Sequence, residues 1–166
     1  MTIREIVQTD REAYRQLRAT LDEESPMWGA DPGEREGLGD YAGNQFDQLL
    51  RSLSSKLFVD EEQSGLSGFL SLETSLWKSL SRTTTLMVGV LSSRQGKGVA
   101  SKLFEHAELW AFGNGIHRIE LTALADNVSA IGLYKKLGYV EEGIRKESSY
   151  LGNKFVDEIY MAKLLK

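Results

Sequence analysis

The chain has 166 residues, a formal net charge of −4, 41% hydrophobic and 27% charged residues, and no cysteine. That length suits one domain with a real core, and the missing thiols exclude a disulfide framework and a thiolate zinc site. The mild acidity argues against general nucleic-acid binding, no apolar run approaches the ~18–20 residues of a membrane span, and the start lacks a signal peptide's apolar core.

With only His106 and His117, a histidine-rich metal site is not expected either. The expectation is a cytoplasmic protein without a metal, a nucleic-acid partner or a membrane partner. On oligomeric state the sequence is silent, and a homodimer stays open.

In chain order, residues 3–7 alternate as a first strand does. Thr9-Asp10-Arg11-Glu12 has the Ser/Thr-x-x-Glu form of a capping box, opening a helix with Tyr14, Leu17 and Leu21 on one face. Residues 25–40 hold both prolines and four glycines, so no regular element is expected there. A connection of that length is often a binding loop. Phe46, Leu49, Leu50 and Leu53 fall at i, i+3, i+4, i+7, the stripe of a second helix. Strands over 56–60 and 65–73 flank a turn and make a hairpin. A polar connection with an isolated Trp77 follows. Residues 83–90 are β-branched and apolar without a charge, which predicts a buried strand.

The next stretch, Leu91-Ser92-Ser93-Arg94-Gln95-Gly96-Lys97-Gly98-Val99-Ala100-Ser101-Lys102-Leu103, organises the rest. Val99, Leu103, Ala107, Trp110 and Ala111 lie at helical spacing, so a helix begins near Gly98. Strand, glycine turn and helix leave free backbone N–H groups at a helix N-terminus, where orphan donors and the dipole favour phosphate. From Arg94 to Lys102 there are three cations and no acid in an otherwise acidic chain. Gly113-Asn114-Gly115 stops the helix. A strand over 118–123, a short helix over 129–137 ended by Gly138, and a strand over 139–144 come next. Leu151-Gly152-Asn153-Lys154 reads as a tight turn into a last strand over 155–164. The sum is one mixed α/β domain spanning the chain.

Three phosphate loops compete for the glycine stretch. A nucleoside-triphosphate loop requires Gly-x4-Gly-Lys-Ser/Thr, but Gly98 follows Lys97 and the spacing back to Gly89 is wrong. A dinucleotide fingerprint requires a third glycine where Ser101 stands, and an acid closing the next strand; Glu120 instead sits inside that strand. In the third reading, Gln95-Gly96-Lys97-Gly98-Val99-Ala100 fits Gln/Arg-x-x-Gly-x-Gly/Ala. It is joined by Asp126-Asn127-Val128-Ser129-Ala130-Ile131-Gly132-Leu133-Tyr134-Lys135-Lys136-Leu137-Gly138-Tyr139. These two stretches resemble the acyl-CoA pyrophosphate loop and the Asn-x-x-Ala-x-x-Leu-Tyr-x-x-x-Gly-Phe/Tyr motif of the GNAT superfamily of N-acetyltransferases.

That resemblance implies a mostly antiparallel, twisted sheet of about seven strands flanked by about four helices, splayed between the fourth and fifth strands. It implies acetyl-CoA as co-substrate, with pantetheine beside the backbone of Val88, Gly89 and Val90, as an added strand would lie. Gly89 there suits a bulge or a close backbone approach. The pyrophosphate would take N–H groups from Gly96, Lys97, Gly98, Val99, Ala100 and Ser101 beside Gln95, with Arg94 and Lys97 adding charge. Asn127 matches the asparagine that bonds the cofactor; from its position alone it is equally a helix N-cap. Tyr134 matches the tyrosine that protonates the departing thiolate; from periodicity alone it is a half-buried helix residue beside Ile131. A phenol of pKa about 10 suits a thiolate of about 8.5.

The implied reaction is attack of an amine on the thioester. A lysine-like amine of pKa about 10.4 is neutral in roughly one molecule in a thousand near neutrality, so something must take its proton. Glu73, near the end of one strand, and Glu120, inside an otherwise apolar one, are the candidates, with a structural salt bridge as the alternative for each. The acceptor is expected to enter beside residues 25–40, 74–82 and 148–155, where Trp28, Glu34, Glu36 and Trp77 could shape the pocket. The expected acceptor is a small-molecule primary amine such as an amino acid. Acetylation of a protein N-terminus or lysine, and a non-catalytic acyl-CoA sensor, are the alternatives.

Overall fold

A computed structural model describes residues 1–24 and 39–166 of the chain. Its elements run β1 (Thr2–Glu5), α1 (Arg11–Glu24), α2 (Tyr41–Arg51), β2 (Lys56–Glu62), β3 (Gly65–Thr74), β4 (Thr83–Val90), α3 (Val99–Gly113), β5 (Arg118–Leu124), α4 (Val128–Lys136), β6 (Val140–Leu151) and β7 (Lys154–Leu164). The seven strands form one sheet in the order β1-β2-β3-β4-β5-β7-β6. Every neighbouring pair is antiparallel except β4 and β5. The mixed α/β architecture expected from the sequence is therefore present.

The apolar stripes place the helices on opposite faces. Tyr14, Leu17 and Leu21 of α1 and Phe46 and Leu49 of α2 are buried over Leu57, Val59 and Phe69. On the other face Val99, Leu103, Phe104 and Ala107 of α3, with Ile131 and Tyr134 of α4, cover Phe58, Leu70, Leu72, Leu86, Ile119 and Leu121. These two sets alternate along β2 and β3, the period-two pattern of a sheet buried on both sides.

Several boundaries differ from the sequence reading. Thr9 opens no capping box: a single 3-10 turn over Gln8–Asp10 precedes α1, and the Asp10 carboxylate accepts from the Val7 N–H at 2.8 Å. Arg4 on β1 grips the same carboxylate at 2.7 and 2.9 Å and holds its carboxyl below the usual range, which makes Asp10 the anchor. Leu53 does not extend α2 and is 97% exposed. Ser52 turns extended (φ −74, ψ 136), and its Oγ accepts from the amides of Ser54 and Ser55 at 3.3 and 2.9 Å. β6 continues past Ile144 to Leu151, through register shifts between Glu141 and Gly143 and between Arg145 and Ser149. Its charged run hides it from any apolar alternation, because β6 is an edge strand exposed along most of its length. Gly152 and Asn153, at φ 55 and 62, close the tight turn anticipated between β6 and β7.

Candidate active site

The site follows from how far β4 pairs on each side. With β3 its ladder is continuous from Thr74↔Thr84 to Gly68↔Val90. With β5 it pairs only at Thr83↔Arg118, Thr84↔Ile119 and Thr85↔Glu120. Beyond Thr85 the two strands part, and no strand among the described residues lies beside this edge of β4 from Leu86 to Val90. A cleft of about 1190 Å³ opens there, lined by residues 85–90 of β4, 121–124 of β5, the loop after β4 and one side of α4. It is large for a small-molecule site.

At the cleft mouth the chain makes a 3-10 turn over Ser92–Arg94, then passes Gly96 and Gly98 at φ 71 and 82. Both need the left-handed region that glycine enters freely, and a Cβ added at either would meet nothing within 4 Å. The backbone is thus laid open. Gly98 is the N-cap of α3 with no side-chain cap, so the N–H groups of Val99, Ala100 and Ser101 have no intrahelical acceptor. Those donors beside an open concavity fit a phosphate group. The side chains of the loop brace it. Gln95 Nε2 donates to the Val90 carbonyl at 3.2 Å, and Lys97 Nζ donates to the Ser93 carbonyl at 2.9 Å. Arg94 is ion-paired with Glu62. Gln95, Gly96, Gly98, Val99, Ala100, Ser101 and Arg94 line the cleft, whereas Lys97 is outside that lining.

Two features here had no counterpart in the sequence reading. Glu24, at the end of α1, accepts from the Ser92 N–H at 2.7 Å and from its hydroxyl at 2.9 Å, tying α1 to the loop. A close backbone approach involves Gly68 on the neighbouring strand, packed against Gly89. The ladder through Gly89 has no bulge, and it is Gly68 whose added Cβ would meet the Gly89 carbonyl at 3.0 Å and Val99 at 3.3 Å.

Asn127 caps α4, its Oδ1 accepting from the Ala130 N–H at 3.1 Å. The N-cap alternative is therefore realised, and Asn127 also lines the cleft. Tyr134 on α4 reaches the cleft with its ring against Phe104 and Tyr139, at centroid distances of 5.7 and 6.3 Å. The residue is 9% exposed, and burial pushes its hydroxyl up to about 12. It therefore carries its proton throughout the neutral range.

Both candidate glutamates stand in one cross-strand row, because Glu73 and Glu120 are each register partners of Thr85, the last doubly paired residue. Partnered residues share a face, here the α1–α2 face, on which Met87 also packs. The two differ in their partners. Glu120 is ion-paired with Arg118 at 3.0 Å, the structural role weighed for it, and is not part of the cleft lining. Glu73 lines the cleft and accepts from Gln45 Nε2 at 2.9 Å. A third carboxylate, Glu158 on β7, also lines it. Glu158 is the partner of Leu124, is held by Arg145 at 2.7 Å and accepts from the Ser149 hydroxyl. The sequence reading missed it, although its parity with Tyr160 in an alternating last strand was visible.

Trp77 is 76% exposed and does not line the cleft. Trp28, Glu34 and Glu36 lie outside the described residues. Among the described residues, no group of three or more His, Asp or Glu side chains could hold a metal ion, and no helix is long and apolar enough to cross a membrane.

The model of the acetyltransferase (GNAT) family matches residues 14–139, well over half of the chain. The chain is 29% identical over 99% of its length to L-amino acid N-acetyltransferase AaaT of Escherichia coli, covering 98% of that protein. Its fold is similar to that of a GNAT-family acetyltransferase from Streptococcus pneumoniae, with a TM-score of 0.86, 23% identity and 99% of each chain covered. It is also similar to a putative acetyltransferase from Salmonella typhimurium solved with its cofactor acetyl-CoA, with a TM-score of 0.78, 20% identity, and 99% of this chain and 94% of that one covered. With the splayed sheet, the glycine loop and the family match together, the chain belongs to the GNAT family of acetyl-CoA-dependent N-acetyltransferases.

Proposed function

We propose that this enzyme acetylates the primary amine of a small molecule, an amino acid or a similar small amine. Acetyl-CoA supplies an activated acetyl group, and the chain supplies its positioning and the proton transfers. The N–H groups of residues 96–101 would hold the pyrophosphate. Arg94, balanced by Glu62, sets the loop's shape more than its charge. The unpaired edge of β4 at Val88, Gly89 and Val90 would align pantetheine, and the asparagine amide of Asn127 would add a donor. Tyr134, neutral and half in the cleft wall, would donate its proton to the leaving sulfur. Glu73 would take the proton from the acceptor ammonium, directly or through water.

The observation that carries this reading is the row Glu73–Thr85–Glu120 at the apex of the splay. It includes a carboxylate on the cleft wall, Glu73, that has no ion pair among the described residues, where an amine entering from the α1–α2 face would meet the thioester. Full-length similarity to an amino-acid acetyltransferase supports the small acceptor. The test is CoA release from acetyl-CoA with a panel of L-amino acids, spermidine and lysine-bearing peptides. Turnover on free amino acids or small amines is expected; turnover confined to peptides would overturn the small-amine reading.

A further inference from the structure

Arg18 is 2% exposed in the face of α1 that packs on the sheet. A buried guanidinium ordinarily has a carboxylate partner, because an isolated buried charge is costly. Here its contacts among the described residues are neutral. Its guanidinium carbon lies 4.8 Å from the Phe69 ring centroid and 5.8 Å from that of Tyr14. Nη1 donates to the Tyr14 hydroxyl at 3.0 Å and to Gln45 Oε1 at 2.7 Å. No carboxylate among the described residues ion-pairs with it. As packing alone, a methionine or leucine would fill this space without the desolvation cost.

The bond to Gln45 fixes what that amide can do. Its oxygen accepts from Arg18 and, at 3.4 Å, from the Tyr14 hydroxyl. Turning the amide round would set its NH2 against a guanidinium that only donates. The NH2 therefore points to Glu73 Oε1, at 2.9 Å. The chain of donors runs one way, from the buried cation through Gln45 to the carboxylate on the cleft wall, and such chains polarise along their length.

We propose that Arg18 and Gln45 are positioning residues for Glu73, holding its carboxylate oriented toward the acceptor amine. This rests on Glu73 as the proton acceptor. Among the described residues, Glu73 is met by Gln45 of α2 through a hydrogen bond and by Thr85 of β4 through register, with Glu120 of β5, paired to Arg118, next in the same row; Arg18 and Tyr14 of α1 are linked to it through Gln45. Tyr14, whose hydroxyl is pushed up by burial, stays neutral, so among the described residues the cation linked to Glu73 through Gln45 is Arg18.

The test compares Gln45→Leu, Glu73→Gln and the double variant, with Arg18→Met alongside, on the fastest small amine of the panel above. Gln45→Leu should lower kcat about tenfold or more, move the acid limb of kcat/KM to higher pH, and leave acetyl-CoA affinity unchanged. The double variant should be no slower than Glu73→Gln, because both remove one unit. A slow Glu73→Gln beside a Gln45→Leu with wild-type kcat and pH profile overturns the relay alone, as do single effects that multiply. A wild-type rate in Glu73→Gln overturns the proton-acceptor assignment and the relay with it. Arg18→Met, if it folds, should reproduce the shift of the acid limb. Gln45→Leu changes a partly exposed side chain, so the test does not depend on Arg18→Met folding.

Discussion

The two walls of the cleft are assembled differently. On the α3 side, residues 94–101 follow one another along the chain, and their φ angles at Gly96 and Gly98 with the uncapped start of α3 make the concavity. On the α1–α2 side, Glu73 and Glu158 come from β3 and β7, far apart along the chain, and reach the cleft only through the register of the sheet. The first wall is a local backbone shape that suits one class of group in any member of the fold. The second depends on individual side chains and their partners, and can change without disturbing the sheet.

Substitutions can break this comparison at different strengths. The largest effect is expected from Tyr134→Phe, which keeps the ring packing on Phe104 and Tyr139. It should lower kcat about a hundredfold or more while acetyl-CoA affinity, by calorimetry, stays within about twofold. An unchanged kcat would remove Tyr134 from the chemistry. Next, Glu73→Gln should lower kcat by about tenfold to a hundredfold, and Glu120→Gln by only a few-fold, because Glu120 is engaged by Arg118. Equal effects would erase the distinction drawn between the two glutamates. Gly98→Asp puts a carboxylate into the open side of the loop, so acetyl-CoA affinity should fall about tenfold, the effect of roughly 1.4 kcal/mol of repulsion, with kcat at saturation little altered.

The smallest effect is one of stability. The Tyr134 hydroxyl is raised to about 12 in the fold, against about 10 in an unfolded chain. A raised value means its contribution is fully present below about pH 10 and is lost as pH rises from there through about 12. The stability difference between the enzyme and Tyr134→Phe, measured by urea denaturation, should therefore shrink or change in that window and be constant from pH 7 to 9. A difference that varies between pH 7 and 9 would contradict the buried, neutral phenol.

What the sequence makes legible follows the same division. Apolar periodicity places α1, α2, α3 and the buried strands, because each has one face fixed by the core. The glycine loop and the Asn127–Tyr139 stretch are contiguous, so their chemistry is readable in order. β6 is understated because an edge strand has no apolar alternation to display. Gly68 passes unnoticed because its closeness to Gly89 and Val99 is a contact between elements. Arg18 looks like a polar residue on an amphipathic helix; its burial, and its link through Gln45 to Glu73, exist only once α1 and α2 pack together on β3.

The most direct test of the central claim, that the splay beyond Thr85 holds the acetyl donor, is an amide-resolved NMR titration of the chain with CoA. The largest shifts are expected at residues 86–90 and 96–101 and at Asn127, with β1, β2 and α2 little changed. Saturable binding whose shifts fall outside the β4–β5 cleft would contradict that claim.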